Sequence, residues 1–210
     1  MAISTTFKNA SPVVGLYGLV ICGGKSSRMG TDKSMLDYHG KPQCYHIYEM
    51  LSPLCEKVFI SCNEEQADKI RVGYHSLTDI PCFTNSGPVA GLLTAFDHFP
   101  NNNFLIIGCD YPFLNTKDLL DFLPFCNQEH LAAAFYNEKN NLYEPLLAYY
   151  GRDCRNELLN MFATGEYSLQ HFLKKIPAAK FCTESENITR SIDTKAGFEE
   201  AKHLITLNEE

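Results

Sequence analysis

Leu19-Val20-Ile21 runs through Cys22 directly into Gly23-Gly24-Lys25-Ser26-Ser27-Arg28-Met29-Gly30-Thr31-Asp32-Lys33. An apolar stretch of this kind reads as a buried strand. Two adjacent glycines let the backbone turn sharply and bring N–H groups close to an anion. Arg28 and Lys33 add fixed positive charge. A strand that opens into such a loop implies an α/β domain with a phosphate site. The spacing excludes two familiar loops. G-x-x-x-x-G-K-[ST] fails because Gly30 is followed by Thr31-Asp32, and G-x-G-x-x-G is absent. A lone Gly-Gly would read as a tight turn with a solvated basic face. Gly-Gly, Arg-Met-Gly and Asp-Lys in succession after a strand favour the phosphate site instead.

The 210 residues suit one domain with a substantial core. Residues 1–12 are polar and read as a disordered extension, with the domain over 13–210. No apolar run reaches the roughly 20 residues that a membrane span needs, and residues 13–22 lack the basic flank and cleavage site of a signal peptide. The formal net charge of −7 argues against a protein that coats nucleic acid. An anionic ligand is still allowed, because local charge decides there. Nine cysteines without a C-x-x-C pair imply no disulfide framework, and a reducing cytoplasm is the simplest setting. The seven histidines show no ligand spacing for zinc.

Periodicity predicts strands over 16–21, 58–61, 103–108, 131–135 and 146–150. It predicts helices over 43–51, 64–72, 92–99, 116–122, 152–161, 168–175 and 194–207, with Thr116 as a helix cap. Alternation of strands and helices implies a mostly parallel sheet with right-handed crossovers, a Rossmann-like three-layer α/β/α fold. Sites in such sheets lie beyond the carboxyl ends of the strands. The segments after Ile21, Ser61 and Gly108 should therefore converge. Asp110 follows the apolar run ending at Gly108, where a carboxylate suits Mg²⁺ together with nucleotide phosphates. The competing reading is an Asp that caps the next turn, helped by Pro112.

The G-G-x-S-x-R-M-G-x-D-K loop resembles the signature of nucleotidyltransferases that activate small phosphorylated molecules with an NTP. Within them the chain most resembles the molybdenum cofactor guanylyltransferases, over about residues 16–202. Cys109-Asp110-Tyr111-Pro112 is similar to that family's C-D-x-P, whose Asp binds the metal. Gly87-Pro88-Val89-Ala90-Gly91 is similar to its G-P-L-A-G segment, which follows an Asp that contacts the guanosine; Asp79 matches it. Tyr143-Glu144-Pro145-Leu146-Leu147-Ala148 and Ser168-Leu169-Gln170-His171-Phe172-Leu173 resemble the family's x-x-P-L-x-A strand and S-L-x-x-F-L helix.

The resemblance implies GTP and molybdopterin as substrates, Mg²⁺ on Asp110, and Lys33 on phosphate oxygens. Arg28 either assists or pairs with a carboxylate, and Asp32 orients Lys33 or its loop. Ile21, Cys22, Gly23 and Gly24 match the backbone around the guanine, and Ser61 or Asn63 helps read the nucleoside. Ser191-Ile192-Asp193-Thr194-Lys195 stands where the family has N-x-N-T-P near the pterin, so Ser191 and Asp193 fall on the acceptor side and Asp193 brings negative charge there. Molybdoenzymes or other cofactor-biosynthesis proteins are the implied protein partners. Two alternatives stay open. One is a cytidylyltransferase for the same pterin or for a sugar or polyol phosphate. The other is a non-catalytic nucleotide-binding maturation partner.

Overall fold

The computed structural model describes residues 12–22, 32–183, 187–192 and 194–209. The expected extension therefore lies outside the described residues, apart from Pro12. The regular elements follow in chain order. They are β1 (Val13–Ile21), α1 (Gln43–Leu51), β2 (Cys55–Cys62), α2 (Glu64–Ala67), β3 (Ser76–Thr78), α3 (Pro88–His98) and β4 (Asn103–Gly108). After these come α4 (Thr116–Phe122), β5 (Ala132–Asn137), β6 (Leu142–Tyr150), α5 (Cys154–Ala163), α6 (Leu169–Lys175), β7 (Ala179–Phe181) and α7 (Lys195–Glu209).

All seven strands join one sheet in the order β3-β2-β1-β4-β6-β5-β7. β3, β2, β1 and β4 are mutually parallel, and β7 is parallel to β5. The expectation of a mostly parallel sheet is borne out, with one reversal. β6 runs antiparallel to both β4 and β5. Its cause is local. Only residues 138–141 separate β5 from β6, too few for a crossover helix, so the two must form a hairpin. Asn141 takes the left-handed conformation at its end (φ 54°).

Period-two alternation sends each strand's side chains to opposite faces. Leu19, Ile21, Phe104 and Ile106 pack with Val89, Leu92 and Phe96 of α3, Leu158 of α5 and Phe172 of α6. Val20, Leu105 and Ile107 pack on the other face with Ile47 and Leu51 of α1 and with Leu119 and Phe122 of α4. This is the three-layer α/β/α arrangement. Each such buried side chain contributes about 1.5–3 kcal/mol relative to exposure. α7 closes a smaller cluster of Tyr38, Ile192, Ala201 and Ile205.

Several boundaries differ from the periodicity. α2 ends at Ala67 rather than at residue 72. α3 begins at Pro88, four residues before its apolar repeat, because Pro is favoured in a first helical turn. Asn115, not Thr116, caps α4, through a box with Asp118. β3 and β7 have three residues each, too short to show a period.

Candidate active site

The carboxyl ends of the parallel strands meet along one edge of the sheet. Cys22 N–H donates to Ser61 O at 3.3 Å, Cys109 N–H to Ile21 O at 3.2 Å, and Asp79 N–H to Cys62 O at 3.3 Å. Ile21, Cys22, Ser61, Asp79 and Asp110 are thus brought to one rim, as the strand-end rule requires. Gly23, Gly24, Arg28 and Asp193 lie outside the described residues.

The first turn of α3 shapes the rim beside Ser61. Gly87 caps the helix at φ 62° and ψ −142°, a conformation that side chains resist. Gly91 then lies against the strand ends. A Cβ there would sit 2.3 Å from Ser61 Oγ and 3.1 Å from Ile21 Cδ1. Helix and strands approach this closely only because the position is glycine. Thr94, also on α3, accepts the Ile80 N–H through Oγ1 at 3.1 Å and so pins the segment holding Asp79. The Asp79 carboxyl is half-buried, its Oδ1 is buried without a hydrogen-bond partner, and burial raises its pKa above the usual carboxylate range.

Asp110 is fixed from two sides. Ser191 Oγ–H donates to its Oδ2 at 2.9 Å, and Ile192 N–H donates to its backbone carbonyl at 2.9 Å. A Cβ on Gly108 would lie 2.6 Å from Asp110 Oδ1, so the bare glycine makes room for the carboxylate. The buried Ile188 and Ile192 flank Ser191 and anchor its segment. Glu144 lies on β6 beyond the Ile107–Leu147 pair, which brings it to this same edge. Tyr111 O–H donates to Glu144 Oε2 at 2.9 Å. Burial, then the Asp110 charge, push the Glu144 carboxyl up, while the Tyr111 bond opposes them. Glu144 was not among the expected site residues. Its one signal in the sequence is a charge set just before Pro145 in an apolar strand.

Lys33 opens a short 3-10 turn over Lys33–Met35 that Asp32 caps. Asp32 Oδ1 accepts Ser34 N–H at 3.0 Å and Ser34 Oγ–H at 2.7 Å, which closes the turn that begins with Lys33. Its Oδ2 accepts Gln66 Nε2–H at 2.7 Å. Asn63 uses its side-chain oxygen to cap α2, accepting Gln66 N–H at 2.9 Å. Its amide nitrogen is the group that nucleoside reading would use.

The pKa values of the thiols at this edge are held above the ordinary thiol range. The neighbouring Cys109 thiol and then burial raise the Cys22 pKa well above that range, while the Cys44 thiol opposes them. Cys44 is raised through its bond to Cys22 and through burial. All nine cysteines are free. These thiols stay protonated near neutral pH and act as packing groups. What remains is a rim of three carboxylates, Asp79, Asp110 and Glu144, with close-packed small residues and with the Lys33 turn tied to it through Asp32 and Gln66. Such a rim suits charge neutralisation and positioning rather than covalent catalysis.

Comparison with known proteins bears on this geometry. The chain is 34% identical over 139 residues to the molybdenum cofactor biosynthesis bifunctional protein of Synechocystis sp., across 64% of this chain but only 39% of that protein. It is 26% identical over 174 residues to the molybdenum cofactor guanylyltransferase of Pseudomonas putida, across 80% of this chain and 87% of the relative. Among solved structures, molybdopterin-guanine dinucleotide biosynthesis protein A from Archaeoglobus fulgidus shares the fold. Its TM-score is 0.72 at 22% identity, over 91% of this chain and 99% of that one. The family described as MobA-like NTP transferase domain matches residues 18–180, a span that holds Lys33, Ser61, Asp79, Asp110 and Glu144. With that match laid over a three-layer fold whose strand ends carry Ser61, Asp79, Asp110 and Glu144, the chain belongs to the MobA-like NTP transferase domain family.

Proposed function

We propose that the chain transfers GMP from GTP to the terminal phosphate of molybdopterin with its bound molybdenum, in the cytoplasm. The reaction releases pyrophosphate and forms molybdopterin guanine dinucleotide. The observation that carries this reading is Asp110, held by Ser191 at 2.9 Å at the end of β4, in a chain similar to a molybdenum cofactor guanylyltransferase along most of its length. Residues 13–210 act as one catalytic domain.

The donor set fits Mg²⁺. Among the described residues no group of three or more His, Cys, Asp or Glu is placed to hold a metal. Mg²⁺ does not need one, because it uses one or two carboxylates with phosphate oxygens and waters. Asp110 supplies the carboxylate, seated where Gly108 leaves room for it. When bound there, Mg²⁺ offsets negative charge on the phosphates.

The chain's own residues do the rest. Asp79, with Ser61 or the Asn63 amide, reads the nucleoside beside the backbone of Ile21, Cys22, Gly23 and Gly24. Asp79 accepts base N–H groups with a carboxyl that the fold otherwise leaves poorly solvated. Lys33, with Arg28, offsets the triphosphate charge. Ser191 and Asp193 face the acceptor. A terminal phosphate oxygen of the acceptor attacks the α-phosphorus of GTP, and pyrophosphate leaves in line. The acceptor phosphate is ionised near neutral pH, so positioning and charge neutralisation suffice.

The test is pyrophosphate release with GTP, CTP, ATP and UTP, with and without Mg²⁺ and molybdenum-loaded molybdopterin. Release confined to GTP and dependent on both additions is expected. Release confined to CTP would replace guanine by cytosine, and GTP binding without release would make the chain a maturation partner. Capture of a molybdoenzyme by the product-bound protein is the matching test for a downstream partner.

A further inference from the structure

One side chain joins the nucleoside side of the rim to the phosphate side. Gln66 uses its carboxamide in two directions. Its Nε2–H donates to Asp32 Oδ2 at 2.7 Å, and its Oε1 accepts Asn63 N–H at 3.1 Å. The Asn63 bond completes the cap of α2, which is all a four-residue helix requires. The Asp32 bond does nothing for α2. It reaches a carboxylate 34 residues earlier in the chain, whose other oxygen caps the turn that begins with Lys33. An unbroken hydrogen-bonded path therefore runs from Asn63 through Gln66 and Asp32 to the turn of Lys33.

We propose that Gln66 is a positioning residue that couples nucleoside recognition to phosphate recognition. The inference rests on the nucleotide-transfer reading above. A base that orders residues 61–63 fixes Gln66, Gln66 fixes Asp32, and Asp32 sets the Lys33 turn. Base-side and phosphate-side ligands then bind cooperatively, each tightening the other by the same factor, because coupling free energy is reciprocal. The site thereby discriminates a whole nucleotide from free polyphosphate, although both carry the same anionic groups.

The experiment is calorimetric titration of the full chain with guanosine and with inorganic tripolyphosphate in Mg²⁺, each alone and each in the presence of the other. In the unmodified protein guanosine should tighten tripolyphosphate by about tenfold, within the usual range of such couplings. In Gln66→Leu the factor should fall to about one while each ligand still binds, again by the reciprocity of the coupling. Gln66→Glu should also lose the coupling, because two carboxylates would then face each other. Adding Asp32→Asn to Gln66→Glu should restore it, with the donor and acceptor exchanged. Should Gln66→Leu fail to fold, the Glu variant and its Asn partner carry the test. Coupling retained in Gln66→Leu, or not restored in the double variant, overturns the proposal. GTP binding and pyrophosphate release without coupling would overturn this inference alone. Failure of the protein to bind either ligand or GTP would overturn the nucleotide reading together with it.

Discussion

Ser191 and Asp110 stand 81 residues apart in the chain, and the serine hydroxyl donates to Asp110 Oδ2 at 2.9 Å. The backbone repeats the connection through Ile192 N–H and the Asp110 carbonyl. The segment proposed to face the acceptor is therefore built onto the carboxylate proposed to hold Mg²⁺. Asp110→Ala should lower kcat with GTP by about 10²-fold or more, the usual loss when a preorganised electrostatic group is removed. Ser191→Ala should cost about three- to tenfold, the net worth of one hydrogen bond. In the Asp110→Ala background the serine change should cost almost nothing further, because the two act through one contact. Additive losses in a steady-state double-mutant cycle would refute that dependence.

Gly91 is predicted to be the least replaceable small residue beside Ser61 and Ile21. A methyl there would meet Ser61 Oγ at 2.3 Å and Ile21 Cδ1 at 3.1 Å. Gly91→Ala should destabilise by about 1–3 kcal/mol, as overpacking does, and should weaken guanosine binding. Ser61→Gly in the same chain removes the closest clash and should recover part of the stability. Denaturant unfolding of the two variants decides the matter, and a Gly91→Ala protein of unchanged stability would count against this packing.

Much of this was legible in the sequence, and the exceptions share a cause. Leu16 to Ile21 and Phe104 to Gly108 are apolar throughout because both faces of each strand are covered, and such runs announce themselves. Asp32 and Asp110 stand next to glycine-rich or strand-end motifs, so their positions could be read before any contact was known, whereas Asp79, eight residues before Gly87, rests only on the family resemblance. Glu144 and Gln66 could not be found in that way. Glu144 is one charge in an apolar strand and Gln66 one of several polar residues around a short helix, and the meaning of each comes from a distant partner, Tyr111 or Asp32. The reversal of β6 is a third case. Its cause is the shortness of the connection from β5, which a pattern of alternating strands and helices does not weigh.

Asp79 should trade stability against binding. Burial raises its carboxyl above the usual range, so the fold favours the protonated form. That contribution is fully present below the unfolded carboxylate pKa and is lost as pH rises through the folded value. At neutral pH the buried charge is a net cost. Asp79→Asn should therefore stabilise the ligand-free protein at pH 7 by about 1 kcal/mol. The gain should vanish as pH falls below about 4, where the carboxyl of either state is protonated. Guanosine affinity should fall at the same time. An Asn variant less stable than its parent at pH 7 would contradict the assignment.

Glu144 offers the sharpest test of the electrostatics around Asp110. Burial and then the Asp110 charge raise its carboxyl, while the hydrogen bond from Tyr111 favours the ionised form and limits the rise. Tyr111→Phe deletes that restraint, so Glu144 should titrate at higher pH in the variant. Asp110→Asn removes the neighbouring charge, so Glu144 should titrate lower. The two changes pull in opposite directions on one carboxyl, and general loosening of the fold would not produce that pattern. Carboxyl carbon shifts of Glu144, followed by NMR across the acid range, report both directly. Because the folded pKa is raised, the stabilising contribution of Glu144 is present at acid pH and lost as pH rises through that value. Tyr111→Phe should extend the contribution to higher pH. Shifts in the same direction in both variants would mean that Tyr111 and Asp110 do not act on Glu144 as opposing partners.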